Sequence, residues 1–222
     1  MYEPIEKVIP LLEKQGYQVK DPWDIVDIFE KKVAEYAGSR YAVSVDNCTD
    51  GLFLCLKYLN ATGPITIPAK TYISVPCAIA QAACDTAFED KEWQGVYQLK
   101  PYPVYDGATR FRKGMYVEGS YQCISFHLKK ILAIGKGGMI LTDDKEAYEW
   151  FKIARYEGRH THLKYEEDNI EMLGWNMYMP PEQAARGILL FEELGDYNPD
   201  CGGSDRYHDL RRHSCFKEPS NG

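Results

Sequence analysis

AEYAGSRYAVSVDNCTDGLFLCL, residues 34–56, holds three local signals in a row. Tyr41-Ala42-Val43-Ser44-Val45 is short, β-branched and aromatic, which predicts a strand. Asp46-Asn47-Cys48-Thr49-Asp50-Gly51 is small and polar and reads as a turn, and the apolar residues 52–59 predict a helix. Strand, polar turn and helix make one half of a βαβ unit. Upstream, Ile25, Ile28, Phe29, Val33 and Ala37 recur at helical spacing around residues 24–36, with Gly38 as the C-cap.

The alternation continues downstream. Strands are predicted at 65–67, 86–88, 104–105, 123–126 and 138–142, and helices at 74–83, 144–155 and 181–194, the last opening on a proline. Strands alternating with helices imply an α/β layer fold with a mostly parallel sheet. Such sheets bind ligands beyond the carboxyl ends of their strands, so the turns after Val45, Ile67 and Tyr105 should gather at one rim. Residues 1–195 read as one domain. Residues 196–222 are rich in glycine and charge and read as a tail, weakly ordered or packed on a partner subunit.

Composition narrows the function classes. The 222 residues are 45% hydrophobic and 27% charged, enough apolar material for one sizeable core. A net charge of -7 argues against an electrostatic grip on nucleic acid or on an anionic membrane. A phosphate site needs no basic surface, since backbone N–H groups and hydroxyls can build one. Cys48, Cys55, Cys77, Cys84, Cys123, Cys201 and Cys215 are odd in number and lack C-x-x-C spacing, which points to reduced, mostly buried thiols in a cytoplasmic protein. Residues 1–12 mix charge and proline with short apolar runs, unlike a signal peptide, and no run is long enough for a membrane span. His160 and His162 have no third ligand in reach by sequence, so no metal is expected.

Ser125 to Asp144, SFHLKKILAIGKGGMILTDD, places two lysines directly after an apolar strand and a glycine-rich turn before the next one. A lysine buried at a strand end can lose its proton near neutrality and form a Schiff base with a carbonyl. Position alone leaves Lys129 and Lys130 equivalent, and a solvated lysine pair is the plainer reading. The segment resembles the cofactor-lysine motif of the DegT/DnrJ/EryC1/StrS sugar aminotransferases, in which Ser-Phe-His, two residues and the lysine precede Gly-x-Gly-Gly. Ser125-Phe126-His127 then leads to Lys130, and Gly135-Lys136-Gly137-Gly138 closes the motif.

The resemblance extends over about residues 25–195 in the same chain order. It implies a reduced three-layer α/β/α fold, the large domain of aspartate-aminotransferase-like enzymes, with residues 1–195 binding pyridoxal 5'-phosphate. Lys130 would form the internal aldimine, and Ser125 would meet the cofactor phosphate. The family's Gly-Thr-Ala phosphate turn falls on Cys48-Thr49-Asp50, where the Asp50 carboxylate is a departure. Tyr72, in IPAKTYIS, inherits the aromatic that stacks on the pyridine ring. Asp106, in VYDGAT, inherits the aspartate that pairs with the ring nitrogen, and Thr109 stands where the family has a glutamine close to the ring. Gly174-Trp175-Asn176-Met177-Tyr178-Met179 resembles a motif whose asparagine reaches the phosphate of the partner subunit, so Asn176 implies a homodimer with shared sites. Tyr178 replaces an arginine.

The family's members of full size place an extra strand and helix where this chain has only fifteen positions between Glu89 and Tyr105. They also continue into a small domain for which the residues after Leu194 are too few. The resemblance therefore implies a shortened aminotransferase moving an amino group from a donor such as glutamate to a keto sugar, with a nucleotide-linked sugar as the acceptor. The alternative is a cofactor-binding or assembly protein of the same fold that has lost transamination.

Overall fold

Charge and proline hide a first helix, α1 (Glu3–Lys14), in the computed structural model, which describes residues 3–216. Its Ile5, Val8 and Leu12 are buried at helical spacing, and that spacing is the signal the composition masked. Next, α2 (Pro22–Ala37) starts at Asp21, whose carboxylate accepts the Trp23 N–H while Asp24 accepts the Asp21 N–H. It ends at Gly38, whose φ of 88° is the left-handed conformation of a C-cap. After β1 (Tyr41–Val45), α3 (Cys48–Tyr58) begins four residues before the expected Leu52. Asn47 Oδ1 accepts the Asp50 N–H at 2.9 Å and caps it, so the polar turn is the helix's own first turn.

The remaining elements are β2 (Pro64–Pro68), α4 (Ser74–Gln81), β3 (Asp85–Glu89), β4 (Tyr97–Leu99), β5 (Val104–Asp106), β6 (Tyr121–Ser125), β7 (Gly138–Thr142), α5 (Lys145–Ala154) and α6 (Pro181–Phe191). One sheet has the order β1-β7-β6-β5-β4, and β2 pairs with β3 beside it. Thr66 and Lys100 exchange backbone hydrogen bonds of 2.9 and 3.0 Å, which ties β2 to the end of β4. Strands β1, β6, β5, β2 and β3 run one way, whereas β7 and β4 run against them. The direction is thus mostly parallel although the neighbouring pairs are mixed. The short stretch between β3 and β5 explains β4: a hairpin (Tyr97 opposite Asp106) needs far fewer residues than a parallel crossover.

The sheet separates two cores. Ala42, Ile124, Met139 and Leu141 face α1, α2 and α6. Val43, Val45, Cys123 and Ile140 face α3, α4 and α5. This alternation across period-two strands gives the three-layer α/β/α arrangement. At the β1 edge a buried polar cluster links α2 to the end of α5. Arg155, 1% exposed, donates to Glu30 and to the Ser44 carbonyl, and its Nη1 lies 2.6 Å from Ser44 Oγ. Lys152 Nζ bridges Glu30 (2.8 Å) and Asp27 (2.6 Å).

Two expectations change here. The seven thiols are free, but Cys77, Cys201 and Cys215 are exposed, because they lie outside the apolar strands and helix faces that bury the other four. The polar tail is not loose as far as residue 216. Arg110 grips Asp200 through two bonds of 2.8 and 2.6 Å, Lys113 pairs with Asp196, and Leu210 N–H donates to the Ala69 carbonyl. Its charges therefore find partners on its own chain; residues 217–222 lie outside the described residues. No helix among the described residues is long and apolar enough to cross a membrane.

Candidate active site

Because β1, β2, β5 and β6 share a direction, their carboxyl ends share one rim, and Asp46, Ala69, Asp106 and Phe126 emerge there. The lysine segment leaves β6 as a narrow hairpin. Phe126 N–H donates to the Gly137 carbonyl, Gly135 N–H to the Phe126 carbonyl, and Lys130 N–H to the His127 carbonyl. Gly137 has a φ of 157°, a backbone angle that favours glycine, while a Cβ there would meet only the movable Met179 Cε at 2.8 Å. Lys129 is exposed and Lys130 half-buried.

Asp106 ends β5 and is 6% exposed. Tyr97 Oη donates to its Oδ2 at 2.8 Å, and Ala108 N–H donates to its Oδ1 at 2.9 Å. Thr71 Oγ1 lies 2.5 Å from Tyr97 Oη, so two hydroxyls back the carboxylate in a row. Burial raises the Asp106 pKa, while the Ala108 N–H, the Tyr97 hydroxyl and the charge of Lys130 pull against it. Cys48 Sγ sits 4.0 Å from Oδ1, and its thiol is pushed well up by burial and then by Asp106, with Lys130 opposing. Lys130 and Asp106 thus share one electrostatic neighbourhood. Tyr72, 58% exposed, stands at the rim after β2, with its ring 6.3 Å from that of Tyr207.

The expected phosphate end lies at the start of α3, where N–H groups of the first turn lack helical acceptors. Thr49 is half-buried in that turn. Ser125 pairs with Gly138, and a Cβ on Gly138 would lie 2.6 Å from both the Asn47 carbonyl carbon and the Cys48 nitrogen. Glycine thus lets β7 touch the helix start, which draws Ser125 toward Thr49. Asp50 accepts a bond from Asn47 Nδ2 at 2.7 Å, and Asp46 pairs with Lys136. Burial first and then the Asp46 charge raise the Asp50 pKa to about 6, with Lys136 and Asn47 opposing.

Two expected site residues are engaged otherwise. Thr109 is buried and its hydroxyl reaches the carbonyls of Gly202 (2.9 Å) and Gly95 (3.1 Å). The ring contact read for it gives way to a tether of the tail, since a threonine is too short to do both. Asn176 Nδ2 donates to Glu157 Oε1 of its own chain at 2.7 Å, with the loop beside the phosphate turn through the Asp46 N–H to Met177 carbonyl bond. Tyr178, in place of the family arginine, packs on Trp23 and Tyr156. Tyr97 and Tyr207 had no signal in the sequence, because 17 tyrosines offer no periodicity or motif that singles them out, and nothing marked Trp93 either. No group of three or more metal-ligating side chains occurs among the described residues.

The sequence profile of the DegT/DnrJ/EryC1/StrS aminotransferase family matches residues 8–116 and 107–199. Among curated proteins, the chain is 27% identical over 248 residues to the spore coat polysaccharide biosynthesis protein SpsC of Bacillus subtilis (strain 168), covering 87% of this chain and 62% of that one. It is 26% identical over 213 residues to GDP-perosamine synthase of Escherichia coli O157:H7, covering 76% and 58%. The chain thus spans about three fifths of the length of these curated relatives. Its fold is that of the sugar aminotransferase CalS13 from Micromonospora echinospora, with a TM-score of 0.64 at 17% identity over 86% of this chain and 66% of that one. With most of its length matched by the profile, the chain belongs to the DegT/DnrJ/EryC1/StrS aminotransferase family.

Proposed function

We propose that the chain is a pyridoxal-phosphate aminotransferase that moves an amino group from a donor such as glutamate to a nucleotide-linked keto sugar. The observation that carries this reading is the buried Asp106 carboxylate at the sheet rim, within the electrostatic reach of Lys130. The ring end fits the cofactor. A buried carboxylate with a raised pKa gains from a cationic partner, and its Oδ2, which accepts from Tyr97, has a lone pair left for a pyridinium N–H. Bound there, pyridoxal phosphate would supply an aldehyde that exchanges amines and a positive ring that draws off electrons.

The chain's own residues take the remaining roles. Asp106 would keep the ring nitrogen protonated, and Tyr72 would cover one ring face. Lys130 Nζ would be the amine that holds the cofactor and, when free, the base that takes and returns a proton. Thr49, Ser125 and the N–H groups of the α3 first turn would bind the phosphate. The similarity to SpsC, a polysaccharide biosynthesis protein, and to GDP-perosamine synthase supports a sugar as acceptor. The exposed Leu163, Tyr165 and Leu173 support a homodimer, for which light scattering should return twice the 25.5 kDa chain mass; a monomer at micromolar concentration overturns it. Seven free thiols suit the cytoplasm.

Borohydride added after pyridoxal phosphate should fix the cofactor on Lys130 in a peptide map, and glutamate added beforehand should prevent the fixation. A label on Lys129 instead overturns the lysine assignment. Fixation that no amino donor prevents moves the protein to the reading of a cofactor-binding protein without transamination.

The phosphate end makes a separate prediction. With a pKa of about 6, Asp50 is ionised at pH 8 and repels a phosphate dianion, but is largely neutral at pH 5. Asp50→Asn should therefore tighten cofactor binding about 10-fold at pH 8 and change it little at pH 5. An equal effect at both pH values would show that Asp50 charge is not what the phosphate meets.

A further inference from the structure

The tail crosses the rim on which Asp106 opens. Cys201 N–H donates to the Thr109 carbonyl (2.8 Å), Gly95 N–H to Gly202 (3.2 Å), Ser204 N–H to Trp93 (3.0 Å) and Leu210 N–H to Ala69 (2.9 Å). Residues 201–210 are fastened in turn to the loop after β5, the loop before β4 and the turn after β2. Those are the segments that carry Asp106, Tyr97 and Tyr72. Two further features hold the path: the Arg110–Asp200 pair at one end, and Ser204, 3% exposed, in the middle.

Tyr207 sits midway along this path. Its ring stacks on Trp93, with centroids 5.8 Å apart and planes 20° from parallel. Trp93 packs in turn on Tyr97 (4.7 Å), whose hydroxyl holds Asp106. Tyr72 lies on the other side at 6.3 Å. Burial and then the charge of Asp106 raise the Tyr207 pKa, which places its hydroxyl in the field of the same carboxylate.

We propose that residues 201–210 form an intramolecular strap, and that its Tyr207, beside Tyr72, is a binding wall for the flat pyridine ring held between Asp106 and Lys130. This rests on the pyridoxal-phosphate reading above. The strap limits water at the ring and adds an aromatic contact from the same chain. It also explains why Thr109 carries no ring contact: its hydroxyl anchors the strap at Gly202.

The test is a titration of the full chain with pyridoxal phosphate, followed by visible absorbance. Tyr207→Ala should weaken binding about 3- to 10-fold with an unchanged circular dichroism spectrum, whereas Tyr207→Phe, which keeps the ring, should bind as the wild type does. Equal affinity for wild type and Tyr207→Ala overturns the strap while leaving the cofactor reading intact; no binding by the wild type overturns both. Should Tyr207→Ala not fold, the wild type decides. Saturating pyridoxal phosphate should slow tryptic cleavage after Arg206, and an unchanged rate overturns the wall.

Discussion

Replacing Lys130 with alanine should abolish borohydride fixation of pyridoxal phosphate at this site and lower the rate of amine exchange with glutamate by about 10²- to 10⁴-fold. The size follows from the role: removing a positioned base costs that much when nothing nearby replaces it. Lys129, one residue earlier, is exposed, so Lys129→Ala should exchange at the wild-type rate. A small primary amine added to Lys130→Ala should restore part of the rate, because it can occupy the vacated space and carry the same proton. Undiminished exchange by Lys130→Ala would reverse the assignment of the lysine, whatever the fate of the fold.

Stability should depend most on the cluster at the β1 edge. Glu30→Ala leaves Arg155 buried with its charge uncompensated and removes the acceptor of the Ser44 N–H (2.8 Å), which should cost about 3–5 kcal/mol of unfolding free energy in urea. The pH dependence has a definite sign. Burial alone would raise the Glu30 pKa, but Arg155 and Lys152 together outweigh it and hold the group at about 2, against an ordinary 4.5. The unfolded chain therefore takes up the proton first. The cluster's contribution is fully present above about pH 4.5 and is lost as pH falls toward 2. Urea midpoints of the wild type should drop across that interval, and those of Glu30→Ala should drop less. Parallel curves would place the acid sensitivity elsewhere.

What the chain's letters disclose and what they conceal have physical causes. The layer fold was legible because short apolar runs such as 41–45 and 138–142, typical of strands buried on both faces, alternate with stretches of helical spacing. Lys130 and Asp106 were singled out only by the family motif they resemble, since a lysine pair or an aspartate at a strand end is by itself an ordinary loop feature. The helical start of α3 was misread as turn, since Asn47, Thr49 and Asp50 favour turns and helix caps equally, and only the Asn47–Asp50 bond decides. Strand β4 was missed because three residues are too few to show alternation. Thr109 and Tyr207 depend on which backbone carbonyl or ring arrives from about a hundred positions away, and no local pattern records that. The cofactor wall was therefore hidden in the very segment whose glycines and charges read as loose.

The place of β1 has a consequence for synthesis. This strand lies at the sheet's edge and hydrogen-bonds to β7 alone, with Tyr41 opposite Thr142. A ribosome adding about 5–20 residues per second therefore delivers β1 some 5–20 seconds before its partner. For that interval its backbone is an open template for foreign strands, shielded only by α2 and α3. Substitutions that weaken β7 should then appear first as aggregated nascent chains, and only in the surviving fraction as altered folded protein.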